Sequence, residues 1–222
     1  MPEVGLFEAL GPWMVGPSSS HTAGVCSLAL MARRLFGKEP ARADFTLYGS
    51  FAETWRGHGT DKALLGGALG FETYDPRLRD SMEIARRAGL QYSFTIDRET
   101  AMPHPNTADI FLTAADGSHL LVRGESLGGG RIKITRLDDV DVAFTGEFPT
   151  LIVVHRDAPG ALGFMTRVLE AGHINIAAMR CYRESRGGKA FAVFESDEFI
   201  PDAIVQAMRE GELVTDVRCL QY

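Results

Sequence analysis

Apolar residues recur at helical spacing in three stretches of the first two thirds of the chain, and at alternate positions between them. The first helix is expected to follow Ser18-Ser19-Ser20, which is a good N-terminal cap. Two further helices are predicted, one after Thr60 or Asp61 and one from Asp75-Pro76. The alternating positions predict strands that contain residues 45–47, 92–96, 110–114, 120–123 and 132–135.

The last third of the chain has a simpler pattern. Its segments follow the order strand, helix, strand, strand, helix, strand, at residues 151–155, 161–170, 174–183, 190–195, 201–209 and 214–220. This order predicts a βαββαβ ferredoxin-like unit, an antiparallel sheet with both helices on one face. The whole chain is therefore expected to be of the α/β (α+β) class.

Composition predicts a domain boundary, and charge and hydropathy exclude several functions. Because 18 of the 24 glycines precede residue 149, two domains are predicted, 1–148 and 149–222. A net charge of −6 with no basic stripe argues against nucleic-acid binding. No apolar run approaches the roughly 20 residues that cross a bilayer. Three scattered cysteines and a start unlike a signal peptide predict a cytoplasmic protein.

The first candidate site is Gly16-Pro17-Ser18-Ser19-Ser20-His21-Thr22, at the start of the first helix. Hydroxyl groups and free backbone N–H groups meet there, and the helix dipole adds positive potential, which suits a carboxylate or a phosphate. His21 could then donate or accept a proton. The alternative is a helix cap with a histidine at the surface.

Three further segments offer polar groups on constrained backbone. Glycines in Gly57-His58-Gly59-Thr60-Asp61-Lys62 would let a ligand approach closely, and prolines stiffen Met102-Pro103-His104-Pro105-Asn106. Ser126-Leu127-Gly128-Gly129-Gly130 lacks the glycine order of a dinucleotide motif. Each segment is also compatible with an ordinary turn. Zinc could in principle bind to four of the candidate residues, although their spacing matches no local zinc signature: His21, His58, His104 and Asp61.

Taken in order, and with Gly49-Ser50-Phe51-Ala52, these motifs resemble the beta chain of iron–sulfur-dependent L-serine dehydratase across residues 1–148. The resemblance implies a front fold related to the allosteric-substrate-binding domain of some D-3-phosphoglycerate dehydrogenases. Residues 149–222 resemble an ACT domain. That resemblance is carried by His155-Arg156-Asp157-Ala158-Pro159-Gly160 and Asn175-Ile176-Ala177-Ala178, which are similar to the serine-binding regulatory domain of D-3-phosphoglycerate dehydrogenase.

The resemblance implies a beta subunit that helps to convert L-serine into pyruvate and ammonia. It implies a [4Fe-4S] cluster that is ligated by a cysteine-rich alpha chain rather than by this chain, and homodimer contacts through the ACT domain. Two rivals stay open: a purely regulatory subunit that binds serine or an anion, and a free-standing amino-acid sensor. The histidine motifs favour catalysis, because a sensor needs neither His21 nor His58.

The resemblance also distributes roles among the candidate residues. Carboxylate binding falls to Ser18, Ser19, Ser20 and Thr22. His21 and His58 are the acid–base or polarising candidates, and orienting roles fall to Thr60, Asp61, His104 and Asn106.

In the ACT domain, the residues expected to bind an effector are His155, Asp157 and Asn175. Asp157 stands where the resembling family has asparagine. Its charge would either pair with the ammonium of a bound amino acid or repel its carboxylate. Plain dimerisation without a ligand is the alternative for this domain.

Overall fold

The computed structural model describes residues 13–221. The contacts within it divide the chain into two compact units, and the division falls between Asp138 and Asp139. The sequence places the boundary at residues 148 and 149, and the assignment of two domains stays a prediction. Among the described residues, no helix is long and apolar enough to cross a membrane.

The helices of the first unit follow the predicted pattern with two differences. A π-helical turn, Ser19–Gly24, runs directly into α1, Val25–Phe36, which ends at Gly37 in the left-handed conformation. The single helix predicted from Asp75-Pro76 is instead a 3₁₀ turn followed by an α-helix, and a short helix that the sequence did not predict follows the first strand. The remaining elements are α2 (Gly49–Thr54), α3 (Thr60–Ala68), the 3₁₀ turn Pro76–Asp80 and α4 (Ser81–Ala88).

Five strands of the first unit are hydrogen-bonded in the order β2-β1-β3-β4-β5. They are β1 (Arg42–Tyr48), β2 (Gln91–Asp97), β3 (Thr107–Thr113), β4 (His119–Gly128) and β5 (Arg131–Leu137). β1 and β2 are parallel because a helical crossover joins them, whereas the other neighbours are antiparallel. Each of the five overlaps a predicted strand.

Helix α1 lies at the centre of the first unit, against α3 and strands β3 to β5. Alternate residues of the sheet, such as Phe45 and Ile110, are fully buried on the helix side. The two helices approach closely at Gly67, where a Cβ would lie 2.4 Å from the carbonyl oxygen of Cys26. This contact joins the first turn of α1 to the last turn of α3, and the starts of both helices carry candidate site residues.

The second unit confirms the βαββαβ order. After β6 (Val140–Phe144), which the sequence did not predict, it contains β7 (Thr150–Arg156), α5 (Ala161–Ala171), β8 (Ala178–Arg183), β9 (Lys189–Glu195), α6 (Asp202–Arg209) and β10 (Val214–Leu220). The sheet order is β10-β7-β9-β8, and all neighbours are antiparallel.

Both helices of the second unit cover the same face of its sheet, as predicted. Leu151 and Val153 of β7 pack there with Met165 of α5 and Met208 of α6. The strand predicted at 174–183 is wrong at its start, since β8 begins at Ala178. The reason is that the N–H of residue 174 bonds the carbonyl oxygen of residue 169 and so closes α5 instead of joining the sheet. The mixed α/β fold class is confirmed.

Candidate active site

The π-helical turn before α1 forms one wall of the site. The Oγ of Ser18 accepts the N–H of His21 at 3.0 Å. The carbonyl oxygen of Ser18 accepts from both Thr22 (3.0 Å) and Ala23 (3.2 Å), which widens the turn. The first amides of such a turn have no acceptor within the helix, and π-helical turns occur frequently at functional sites. The serine-rich start therefore keeps N–H groups and hydroxyls available to an anion.

Ser126, at the end of β4, holds this turn from the sheet side. Its buried hydroxyl donates to the carbonyl oxygen of Ser20 at 3.1 Å, and its N–H donates to the carbonyl oxygen of Asn106 at 2.9 Å. Gly24 makes the contact possible, because a Cβ there would lie 1.9 Å from the Oγ of Ser126. The serine-rich turn and the loop at 104–106 are thus tied to one strand end.

His21 and His58 lie together although 37 positions separate them in the sequence (58 − 21 = 37). Their ring centroids are 5.0 Å apart, and the edge of His21 also meets the ring of Phe51. Two buried hydroxyls tie their backbones reciprocally: Thr22 donates to the carbonyl oxygen of His58, and Thr60 donates to that of His21, each at 2.9 Å. The two predicted motifs therefore form one site.

The ring nitrogens of the two histidines have different surroundings. The Nε2 of His21 lies 3.0 Å from the Oγ of Ser50, and its Nδ1 lies 3.5 Å from the Oγ of Ser18. Burial and the neighbouring His58 lower the pKa of His21, while a hydrogen bond with the backbone of Ser50 opposes them. His21 is therefore neutral near pH 7. The Nδ1 of His58 is buried and has no hydrogen-bond partner among the described residues, which is unusual outside functional sites.

A cleft of about 240 Å³ opens beside His58, whereas His21 does not line it. Its lining includes the basic residues Lys62 and Arg79 and residues on both sides of the serine-rich turn, Gly16, Pro17 and Thr22, but not the serines at 18–20. Positive charge beside a small cleft attracts a small anionic molecule. The cleft is therefore suited to a small amino acid or another small carboxylate.

His104 and Asn106 form a tight turn next to the histidine pair. The Nδ1 of His104 accepts the N–H of Asn106 at 3.1 Å, and the carbonyl oxygen of His104 accepts the hydroxyl of Thr107 at 2.7 Å. The carbonyl oxygen of Pro105 accepts the N–H of Ser50 at 2.8 Å. This loop therefore supports the residue that bonds His21, and the orienting roles of His104 and Asn106 stay predictions.

The hydroxyls of Thr22 and Thr60 are engaged with backbone carbonyl groups, so they fix the histidines. Within residues 13–221, the carboxylate of Asp61 bonds the N–H of Lys62 at 2.8 Å and neither histidine. The roles assigned to these three residues stay predictions. Ser50 and Ser126 were not assigned roles from the sequence. A serine directly after a strand and a glycine, and a serine before a glycine run, were the available signals.

In the second unit, His155 is buried at the end of β7. Its Nδ1 lies 2.9 Å from the carbonyl oxygen of Arg156, and its Nε2 has no partner among residues 13–221. The N–H of Gly187 and the guanidinium of Arg183, each at 3.1 Å, hold the pKa of Asp157 below its usual value. Asn175 is exposed. The ion pair changes the expectation for Asp157, because its charge is already balanced within the chain.

The cysteines do not fit an iron–sulfur cluster, which needs several thiolate ligands together. Cys26 is buried in α1, and burial raises the pKa of its thiol to about 12. Cys181 and Cys219 lie on β8 and β10, the opposite edges of one sheet, three strand spacings or about 14 Å apart. Nowhere in the described part of the chain do three His, Cys, Asp or Glu side chains group as a metal site requires.

The fold and the site define a mixed α/β protein in which two histidines meet at the start of a helix, next to a small cleft. Comparison with known proteins agrees. The family model for the serine dehydratase beta chain matches residues 12–136. The chain is 42% identical to the probable L-serine dehydratase, beta chain, of Bacillus subtilis (strain 168) over 204 residues, which cover 91% of each chain.

A second relative spans the full length. The chain is 34% identical to the L-serine dehydratase, beta chain, of Peptoniphilus asaccharolyticus over 221 residues, which cover 100% of both. The chain belongs to the serine dehydratase beta chain family, so the family and the subunit function predicted from the motifs are confirmed. A D-3-phosphoglycerate dehydrogenase of Synechocystis sp. is 30% identical over 132 residues, which cover 60% of this chain and 24% of that enzyme.

Proposed function

We propose that this chain, as a beta subunit of L-serine dehydratase, holds the carboxylate of L-serine and moves a proton with the His21–His58 pair. One observation carries the proposal: the two rings lie 5.0 Å apart beside the serine-rich helix start. The chain's cysteines do not fit a [4Fe-4S] cluster, and we propose that the cluster is ligated by a cysteine-rich alpha chain.

The reaction requires removal of the α-proton of serine and loss of hydroxide from its β-carbon. The aminoacrylate so formed becomes an imine, and water hydrolyses the imine to pyruvate and ammonia. Because the α-proton is weakly acidic, the base must lie within hydrogen-bond reach and the carboxylate must be held still. The hydroxyls and amides at residues 18–20 supply that hold at the positive end of the helix.

The two histidines have different places in this scheme. His58 borders the cleft, whereas both ring nitrogens of His21 face serine hydroxyls of the chain. We assign proton abstraction to His58 and support of His58 to His21. A neutral His21 adds no positive charge beside His58.

Ser19→Ala is expected to raise KM for L-serine about tenfold and to leave kcat within about twofold. The variant removes one hydroxyl from the carboxylate but keeps the backbone N–H, and such a charge-assisted bond contributes roughly 1.5 kcal/mol. Steady-state kinetics of the enzyme assembled with its alpha chain measure the effect. Ser185→Ala, an exposed serine in the second unit, is the matched control. An unchanged KM would show that the Ser19 hydroxyl does not bind the carboxylate of L-serine.

For residues 149–222 we propose an ACT-type regulatory unit. The βαββαβ order, the partial identity with D-3-phosphoglycerate dehydrogenase and the unpartnered Nε2 of His155 support it. This unit binds an amino acid at His155, Asp157 and Asn175, or it joins two copies of the chain without a ligand. Since Arg183 already pairs with Asp157, that carboxylate repels a bound carboxylate less than an isolated one would.

Asn175→Ala separates these two roles. If the unit senses serine, the variant is expected to abolish the heat of serine binding at this unit and to change the saturation curve by about 5- to 150-fold in apparent affinity, the usual size of allosteric coupling. Gln206→Ala, an exposed amide on α6, is the control. An unchanged curve excludes sensing through Asn175. Removal of residues 149–222 then tests dimerisation, which is excluded if the shortened chain keeps its oligomeric mass.

A further inference from the structure

Ser50 is the nearest polar neighbour of the His21 ring, and the proposed mechanism gives it no role. Its Oγ lies 3.0 Å from Nε2, a normal hydrogen bond, whereas the Ser18 hydroxyl lies 3.5 Å from Nδ1, at the outer limit. We propose that Ser50 is a positioning residue that accepts the Nε2–H of His21 and so leaves Nδ1 as the basic nitrogen of the ring. This inference rests on the proposed catalytic role of His21.

The backbone of Ser50 is fixed on both sides. Its N–H donates to the carbonyl oxygen of Pro105 at 2.8 Å, and its own carbonyl oxygen accepts the hydroxyl of Thr54 at 2.9 Å. The preceding Gly49 has a φ of +50°, and a Cβ there would lie 2.5 Å from the oxygen of Pro105. Only glycine permits this approach, so the turn that presents Ser50 is held in one conformation.

A half-buried polar cluster anchors the strand that leads into this turn. Tyr48, the last residue of β1, donates its hydroxyl to Asp109 at 2.9 Å. Arg123 bonds both oxygens of Asp109, at 2.6 and 2.7 Å. Burial and Asp109 raise the pKa of Tyr48 to about 12, so its hydroxyl remains a donor. Three neighbouring strands are thereby joined two residues before Ser50.

The surroundings of His21 favour one of its two tautomers. The Ser18 hydroxyl oxygen already accepts the backbone N–H of His21, so its own hydrogen is left to face Nδ1. The titratable group that faces the ring is His58, and Phe51 meets the ring edge. A proton on Nε2 that is donated to Ser50 satisfies both nitrogens at once.

The test compares two variants of Ser50 in the enzyme assembled with its alpha chain. Ser50→Ala is expected to lower kcat about tenfold, the effect of one lost hydrogen bond, with KM within twofold. Ser50→Thr keeps the hydroxyl and is expected to restore most of kcat. Ser93→Ala, which removes a serine hydroxyl bonded to Asp44 on neighbouring strands, is the control. A normal kcat in Ser50→Ala overturns the inference.

A second readout uses the full chain without its partner. In ¹⁵N NMR of the histidine rings, His21 is expected to carry its proton on Nε2, and Ser50→Ala is expected to mix the two tautomers. A proton on Nδ1 in the unsubstituted chain overturns the inference, whatever the variant does. If the tautomer depends on Ser50 but His21→Ala has normal kcat, the positioning stands and the proposed catalytic function fails.

Discussion

His58→Ala and His21→Ala, each assembled with an alpha chain, are expected to lower kcat about 100-fold or more, because each removes a group that holds or moves the proton. The larger loss is expected for His58, which borders the cleft. The loss of kcat in His21→Ala is expected because His21 supports His58. The two rings are in contact, and the Thr22 and Thr60 hydroxyls bond the backbones of the two histidines.

The pH dependence of kcat gives a second test of the role of His21. Burial and His58 lower the pKa of His21 below 6.5, so the neutral form is lost only as the pH falls through that lowered value. The acid limb of kcat that depends on His21 is therefore expected below pH 6.5. His119→Ala, on an exposed hairpin, is the control. Near-normal kcat in both site variants would show that the chain is a purely regulatory subunit.

The positions of the site residues were predictable where local sequence decides them. The Ser18 cap and the helix after His21 follow from residue types and helical spacing, and the glycines around His58 indicate a loop. The contact between the two rings was not predictable, since it depends on the packing of α1 against α3 and on the Thr22 and Thr60 hydroxyls that join the two segments. A residue distant in sequence also contacts the first turn, since the buried hydroxyl of Ser126 donates to the carbonyl oxygen of Ser20.

The elements that the sequence missed are short. Helix α2 has six residues and β6 has five, too few for either period to emerge. The strand predicted from residue 174 failed for a different reason. Ile174 and Ile176 alternate as strand residues do, but they pack against the helix-facing core of the second unit as the chain leaves α5. Alternation alone cannot distinguish a strand from such a loop.

The second large effect concerns the partner chain. Alone, this protein is expected to form no pyruvate from L-serine, and with an alpha chain it is expected to become active. The histidine pair and the helix start supply proton transfer and carboxylate binding, while the cysteines are buried, separated or both. We expect oxygen to destroy the assembled activity, as it attacks exposed iron–sulfur clusters.

Anaerobic reconstitution, with iron analysis of each chain and a pyruvate assay, tests the central claim most directly. The assay compares this chain, the alpha chain, the two together, and the two together with a His21→Ala, His58→Ala double variant. The account predicts iron only with the alpha chain, and pyruvate only from the pair with both histidines. Stoichiometric iron bound by this chain alone, or full activity of the pair with the double variant, would contradict it.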